Sequence, residues 1–214
     1  MDKSIADIRK DYSHQSLSEK KISPDPIKQF KKWWEEALEA KIEEANSMTL
    51  ATASSDGNPS ARIVLLKSFS KSGFVFFTNY NSCKGKELAE NPKACLVIFW
   101  KELERQVRIT GLVEKISAKQ SDEYFCSRPE GSQLGALTSS QSQVIESREW
   151  LDEHFSKIEK KMKGSKMQRP PYWGGYIVNP IIIEFWQGRP NRMHDRLQYT
   201  LEDEKNWKIE RLAP

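Results

Sequence analysis

Near the carboxyl end, FWQGRPNRMHDRL (residues 185–197) sets Arg189, Arg192, His194, Asp195 and Arg196 within eight positions, closing the apolar run YIVNPIIIEFW. Guanidinium is a permanent cation with a planar fork of donors, and imidazole changes charge near neutrality. Arg192, His194 and Arg196 alternate, so in extended backbone they would share one face. Cationic groups so placed repel each other unless an anion or acidic side chains compensate. In that geometry Asp195 points away and Glu184 compensates only in part. The stretch is therefore either an anion site or a solvated, charged turn.

Two further sets carry similar chemistry. In ARIVLLKS, Arg62 and Lys67 lie an odd number of residues apart, which in an unbroken strand sends them to opposite faces. They would serve two anions, or else stand in solvent at strand ends. In SDEYFCSRPEGSQ, Tyr124 and Arg128 are spaced i, i+4 on a helical face and Ser132 follows four later, past Pro129. Hydroxyl, guanidinium and hydroxyl converging make a phosphate pocket, although i, i+4 polar pairs on surface helices are the commoner case.

The usual phosphate cradles are missing: there is no G-x-G-x-x-G after a strand and no G-x-x-x-x-G-K-[ST]. The hydrolase elbow G-x-S-x-G is also absent. Bound phosphate would have to be held mostly by cationic side chains. The three histidines lie far apart without a second His or Cys at ligand spacing, so no metal is expected. Cys83, Cys95 and Cys126 form no C-x-x-C pair and read as reduced thiols of a cytoplasmic protein. A net charge of +4, from 34 basic and 30 acidic residues, favours small anions over nucleic acid as ligands. No apolar run reaches membrane-spanning length, and the amino terminus lacks the hydrophobic region of a signal peptide.

The elements that must position these groups follow from pattern. Residues 1–24 are polar and aperiodic and are expected to form a mobile arm, with a short helix around Ile5–Tyr12. Asp25 as N-cap and Pro26 as first helical residue start a helix whose Phe30, Trp33, Trp34, Ala37, Leu38 and Ile42 share one core-facing stripe. From Met48 the period becomes that of strands: MTLATAS, ARIVLLKSF, FVFFTN, KACLVIFW and RQVRITGLVEKIS, interrupted by a short helix from Lys84 to Glu90. Residues 119–164 read as helical, RPPYWGGYIVNPIIIEFWQG returns to strand, and RLQYTLEDEKNWKIERLAP reads as a terminal hairpin. The expectation is a mainly β, α+β fold: an antiparallel small barrel with flanking helices, one domain over 25–214 behind the arm.

RIVLLK, FFTNYNSCKGKELAENP, LERQVRITG, YFCSRPEGSQLGA, SSQS, WGGYIVNPIIIEFWQG, NRMHDR and the closing WKIERLAP together resemble the pyridoxine 5′-phosphate oxidase (pyridoxamine-phosphate oxidase) family, in the family's order and over nearly the whole chain. The resemblance implies an FMN-binding split β-barrel, a homodimer with FMN at the subunit interface. It also implies oxidation of pyridoxine 5′-phosphate or pyridoxamine 5′-phosphate to pyridoxal 5′-phosphate, with O2 reoxidising the flavin and yielding H2O2.

Carried over by motif, Arg62, Ile63, Val64, Leu65, Leu66, Lys67, Phe77, Thr78, Lys84, Gln106, Gln141, Ser142, Trp186 and Arg196 would line FMN. Lys67, Tyr124, Arg128 and Ser132 would take the substrate phosphate, and Arg192, Met193 and His194 the pyridine side, with Arg192 and His194 as the catalytic pair. Arg9, Lys10, Asp11 and Tyr12 resemble an amino-terminal segment that closes over substrate, making the arm a lid. The family commonly has Arg where this chain has Cys83; the loss of that charge-assisted contact is worth on the order of 1.5–3 kcal/mol of flavin affinity if nothing replaces it. The family's Leu is Met193 here, a tolerated exchange. Two other readings compete: a flavin- or pyridoxal-phosphate-binding relative without activity, and a nucleic-acid-binding small barrel that uses its aromatics for stacking.

Overall fold

The computed structural model describes residues 4–5, 11–203 and 206–214. Arg9, Lys10 and most of the expected helix around Ile5–Tyr12 lie outside the described residues. Among the described residues the strands hydrogen-bond in the order β2-β1-β5-β6-β7-β4-β3, with β8 on β7 and β9 on β8. They are β1 (Ser47–Ala53), β2 (Pro59–Leu65), β3 (Ser68–Ser70), β4 (Gly73–Asn79), β5 (Lys93–Trp100), β6 (Arg105–Lys115), β7 (Trp173–Gln187), β8 (Asp195–Leu201) and β9 (Trp207–Leu212). The helices are α1 (Pro26–Glu39), α2 (Cys83–Glu90), α3 (Ala118–Ser127), α4 (Glu130–Thr138) and α5 (Arg148–Met162). Two compact units are built from these: one from Met1–Thr49, Cys95–Thr110 and Pro180–Pro214, the other from Leu50–Ala94 and Gly111–Asn179.

In the first unit, α1 begins as its sequence requires. The Asp25 carboxylate accepts the N–H groups of Ile27 and Lys28, and Pro26 takes the position where a missing N–H costs nothing. Phe30, Trp33 and Ala37 are buried. Trp33 meets Phe185 edge-on at 5.1 Å, and Trp100 lies 6.1 Å from Phe30 while its indole N–H reaches the Ala45 carbonyl. Leu38 departs from the expected stripe, being half exposed, and Ile42 falls beyond the end of the helix. β8 pairs antiparallel with β7 and β9, forming the expected terminal hairpin. Residues 11–24 form no helix or strand, yet Leu17 is buried and the N–H groups of Ser13 and His14 donate to the Glu104 carboxylate at 2.9 and 3.0 Å.

The second unit carries the β3–β4 hairpin and the antiparallel pairing of β4 with the start of β7, where Phe77 faces Gly175, Thr78 faces Gly174 and Asn79 faces Trp173. The glycine pair after Trp173 is required by close approach. A Cβ on Gly174 would lie 2.2 Å from the Tyr80 hydroxyl, and one on Gly175 would lie 2.4 Å from Ile116 Cδ1. Ser117 and Gln120 close a capping box at the start of α3. Phe125, Leu134, Met167 and Trp173 form a buried cluster, against which Phe155, Ile158 and Met162 of α5 pack. No helix among the described residues is long and apolar enough to cross a membrane.

Candidate functional site

A cavity of about 470 Å³ opens in the second unit, and most of the cations and hydroxyls singled out there converge on it. Ile63, Val64 and Leu65 come from the end of β2, Lys67 from the residues after it, Phe77 and Thr78 from β4, and Lys84 from the first turn of α2. Tyr124 comes from α3, Arg128 from the α3–α4 junction, Ser132 from α4 and Gln141 from the segment beyond α4. β2 ends at Leu65, so the strand parity that would separate Arg62 from Lys67 does not run as far as Lys67. Arg128 caps α3 in extended backbone ahead of Pro129, so Tyr124, Arg128 and Ser132 meet across a bend between two helices.

Two cations of this cavity, Arg128 and Lys84, form no salt bridge among the described residues. The Arg128 guanidinium lies 4.7 Å from the Trp173 ring centroid, and its Nη1 is buried without a hydrogen-bond partner. Buried donors are nearly always paired, so the guanidinium is suited to take an acceptor supplied from outside the chain. Burial pulls the guanidinium pKa down, though an arginine remains protonated. Lys84 is buried as well, and its ammonium has a weak 3.4 Å contact to Gln141 Oε1, which also accepts from Thr78 Oγ1 at 3.2 Å. Burial, then the neighbouring Arg62, lowers the Lys84 pKa. An anion at Lys84 would oppose both effects.

Arg62 does not line the cavity. It turns to the Glu87 carboxylate at 3.5 Å and to the Leu50 carbonyl, Thr52 and Ser60. Although burial opposes its ionisation, Glu87 is held at a pKa of about 2 by hydrogen bonds from Thr52, Ser60 and Cys83 and by the Arg62 charge. Leu66 is buried, while Ser142 is exposed with φ of 71°. Sequence reasoning missed Glu87, which looked like one more charge on an amphipathic helix. It also missed Asn79, Ser139 and Trp173 among the lining residues; Trp173 reads from pattern as ordinary core.

The remaining residues belong to the first unit. His194 lies 4.7 Å from the Trp186 ring, and Tyr12 stands edge-on to both, at 5.7 Å from Trp186 and 5.8 Å from His194. The backbone N–H of Arg189 donates to His194 Nδ1 at 3.1 Å. Burial, then Arg192, lowers the imidazole pKa. The expected extended alternation of Arg192, His194 and Arg196 is corrected by a 3-10 turn over Pro190–Arg192, with φ of 57° at Asn191 and 60° at Arg192. Pro190 and Asn191 are turn-forming residues, and the strand resumes at Asp195. Arg196 is compensated after all: the buried Glu184 accepts from Arg196 Nε at 2.8 Å and from Arg108 at 2.5 Å. Arg192 and Met193 are exposed, Asp11 is exposed, and Gln106 is half-buried on β6.

The comparisons with known proteins agree with this chemistry. Residues 34–162 match a family model described as pyridoxamine 5′-phosphate oxidase, and residues 173–214 one described as the pyridoxine 5′-phosphate oxidase C-terminal dimerisation region. A pyridoxine/pyridoxamine 5′-phosphate oxidase of Nostoc sp. is 57% identical over 100% of both chains. Another, of Salinibacter ruber, is 52% identical over 98% of this chain and 99% of the relative. Among solved structures, PhzG from Burkholderia lata 383, in complex with tetrahydrophenazine-1-carboxylic acid, superposes with a TM-score of 0.86 at 31% identity, over 91% of this chain and 95% of the other. A pyridoxamine 5′-phosphate oxidase-related, FMN binding protein from Nostoc punctiforme has a TM-score of 0.70 at 16% identity, over 91% of this chain and 99% of the other. At that identity it bears on fold alone, and the fold is the expected antiparallel split barrel with flanking helices.

Proposed function

Because this chain belongs to the pyridoxamine 5′-phosphate oxidase family, we propose that it oxidises pyridoxine 5′-phosphate and pyridoxamine 5′-phosphate to pyridoxal 5′-phosphate, using FMN and O2 and releasing H2O2. Its place would be vitamin B6 biosynthesis and salvage. The observation that carries the reading is the buried, unpartnered Nη1 of Arg128, a residue that lines one cavity together with Lys67, Tyr124 and Ser132. That donor set suits a phosphate dianion. The residues also fit a flavin phosphate, since Lys84 is desolvated with a single weak neutral acceptor. Lys84, Thr78 and Gln141 would hold the cofactor, and Ile63, Val64 and Leu65 would offer backbone and apolar surface to it.

Bound FMN would supply the acceptance of two electrons from substrate and their passage to O2. The protein's own part is to bind and orient. Lys67, Tyr124, Arg128 and Ser132 fix the substrate by its phosphate, a group that takes no part in the bond change. Arg192 and His194 would present positive charge and a directed N–H to the pyridine ring. With Nδ1 accepting from Arg189, the neutral imidazole carries its proton on Nε2 and can donate from there. Tyr12, packed edge-on against Trp186 and His194, would help the arm exclude water from this side. The match of residues 173–214 to a dimerisation region supports a homodimer, and we place FMN at its interface.

Anaerobic addition of pyridoxine 5′-phosphate to the FMN-loaded protein tests the reading: the yellow absorbance should bleach and return on admission of air, with H2O2 formed. Persistent colour would favour a binding protein without activity. Bleaching by tetrahydrophenazine-1-carboxylic acid, the compound bound to PhzG, and not by the phosphate ester would favour a PhzG-like function, the second reading that the 0.86 TM-score supports.

A further inference from the structure

Arg128 caps the end of α3, and its guanidinium keeps one buried donor, Nη1, without a hydrogen-bond partner. What lies under it is the indole of Trp173, 4.7 Å away. The same indole is parallel to the Tyr124 ring within 6° at 6.2 Å, and Phe77 stacks against both, at 3.8 Å from Tyr124 and 5.5 Å from Trp173. Two phosphate-side groups, a guanidinium and a phenol, thus lie on one aromatic stack.

The stack is itself fixed by backbone. Trp173 opposes Asn79 across the β4–β7 ladder, ahead of the two glycines that bring the strand down onto Tyr80 and Ile116. Its carbonyl accepts from Arg169 Nη1 at 2.6 Å, and Arg169 Nε binds Asp122 on α3 at 2.6 Å. The helix that carries Tyr124 is therefore tied to the strand that carries Trp173.

We propose that Trp173 is a positioning residue for the phosphate grip: its indole face presets the Arg128 guanidinium and the Tyr124 ring, and so sets the preference for phosphorylated over unphosphorylated pyridines. The inference rests on the functional reading above. A cation over a desolvated aromatic face keeps its orientation without a counter-ion, which leaves the Nη1 donor available to the ligand.

Trp173 is also a core residue, so the test must separate grip from stability. FMN-saturated wild type, Trp173→Leu and Trp173→Phe are compared in kcat/KM for pyridoxine 5′-phosphate and for pyridoxine. Loss of the platform should lower the ratio of the two about tenfold in Trp173→Leu, chiefly through KM of the phosphorylated compound. Trp173→Phe, which keeps a weaker π face, should lose about threefold. Equal losses on both compounds, leaving the ratio at its wild-type value, would mean a purely structural role and overturn the proposal. If Trp173→Leu does not fold, the ratio in Trp173→Phe decides in the same way. A wild type that oxidises neither compound strikes at the functional reading instead, and the same comparison is then made on dissociation constants.

Discussion

The backbone N–H of Arg189 points at Nδ1 of His194 from 3.1 Å, so the imidazole is held as an acceptor on one nitrogen while Arg192, two residues before it, disfavours a second proton. Both effects act in one direction. They keep His194 neutral, with its proton on the nitrogen turned away from the chain's own donor.

His194 should therefore titrate below its ordinary 6.5, because of burial and then Arg192. A histidine with a depressed folded pKa contributes stability that is complete above 6.5 and lost as pH falls through the lower value. NMR titration of the ring protons should show the low value in the wild type and a rise in Arg192→Ala. The same variant should lose turnover on the order of 100-fold with FMN still bound. An unmoved titration together with unchanged turnover would remove Arg192 from the site.

Arg128→Lys keeps the charge but gives up the planar fork that stacks on Trp173. KM for the phosphorylated substrate should rise about 10–100-fold, the scale of one or two lost charge-assisted hydrogen bonds. The flavin spectrum should be unchanged. Steady-state kinetics on the yellow protein check both.

Cys83 is exposed at the first position of α2, with its Sγ 3.2 Å from Glu87 Oε1. Cys83→Arg adds a cation beside Lys84 and should tighten FMN about tenfold, measured by quenching of flavin fluorescence. Equal or weaker binding would mean that Glu87, one helical turn along, captures the new guanidinium instead.

Gly85 lets α2 lie against the preceding chain: a Cβ there would stand 2.2 Å from the Tyr80 carbonyl oxygen. Gly85→Ala should destabilise the fold by roughly 1–3 kcal/mol in urea unfolding and weaken FMN, because the same turn carries Lys84. Unchanged flavin affinity in a destabilised protein would separate the packing of α2 from the cofactor site.

Much of this was legible in sequence, for reasons that differ by residue. Asp25 and Pro26 start α1 because capping is local chemistry, and β5 runs over Lys93–Trp100 as its apolar pattern requires. Tyr124, Arg128 and Ser132 could be paired by spacing, but their convergence depends on the bend at Pro129, which spacing does not encode. Extended alternation failed at Arg192 because a turn at Pro190 and Asn191 overrode it. Trp173 and Glu87 were invisible for one reason: an aromatic in an apolar run and an acid on a helix look ordinary until their neighbours are known.

The bare donor on Arg128 has a practical side. A partly desolvated guanidinium beside an open cavity recognises a tetrahedral oxyanion before it recognises what that oxyanion is attached to. Inorganic phosphate and sulfate should occupy the same place, competing with substrate and raising the melting temperature as they do so. Kinetics recorded in phosphate buffer would then understate affinity, and an ammonium sulfate step would yield protein that looks sturdier and slower than it is.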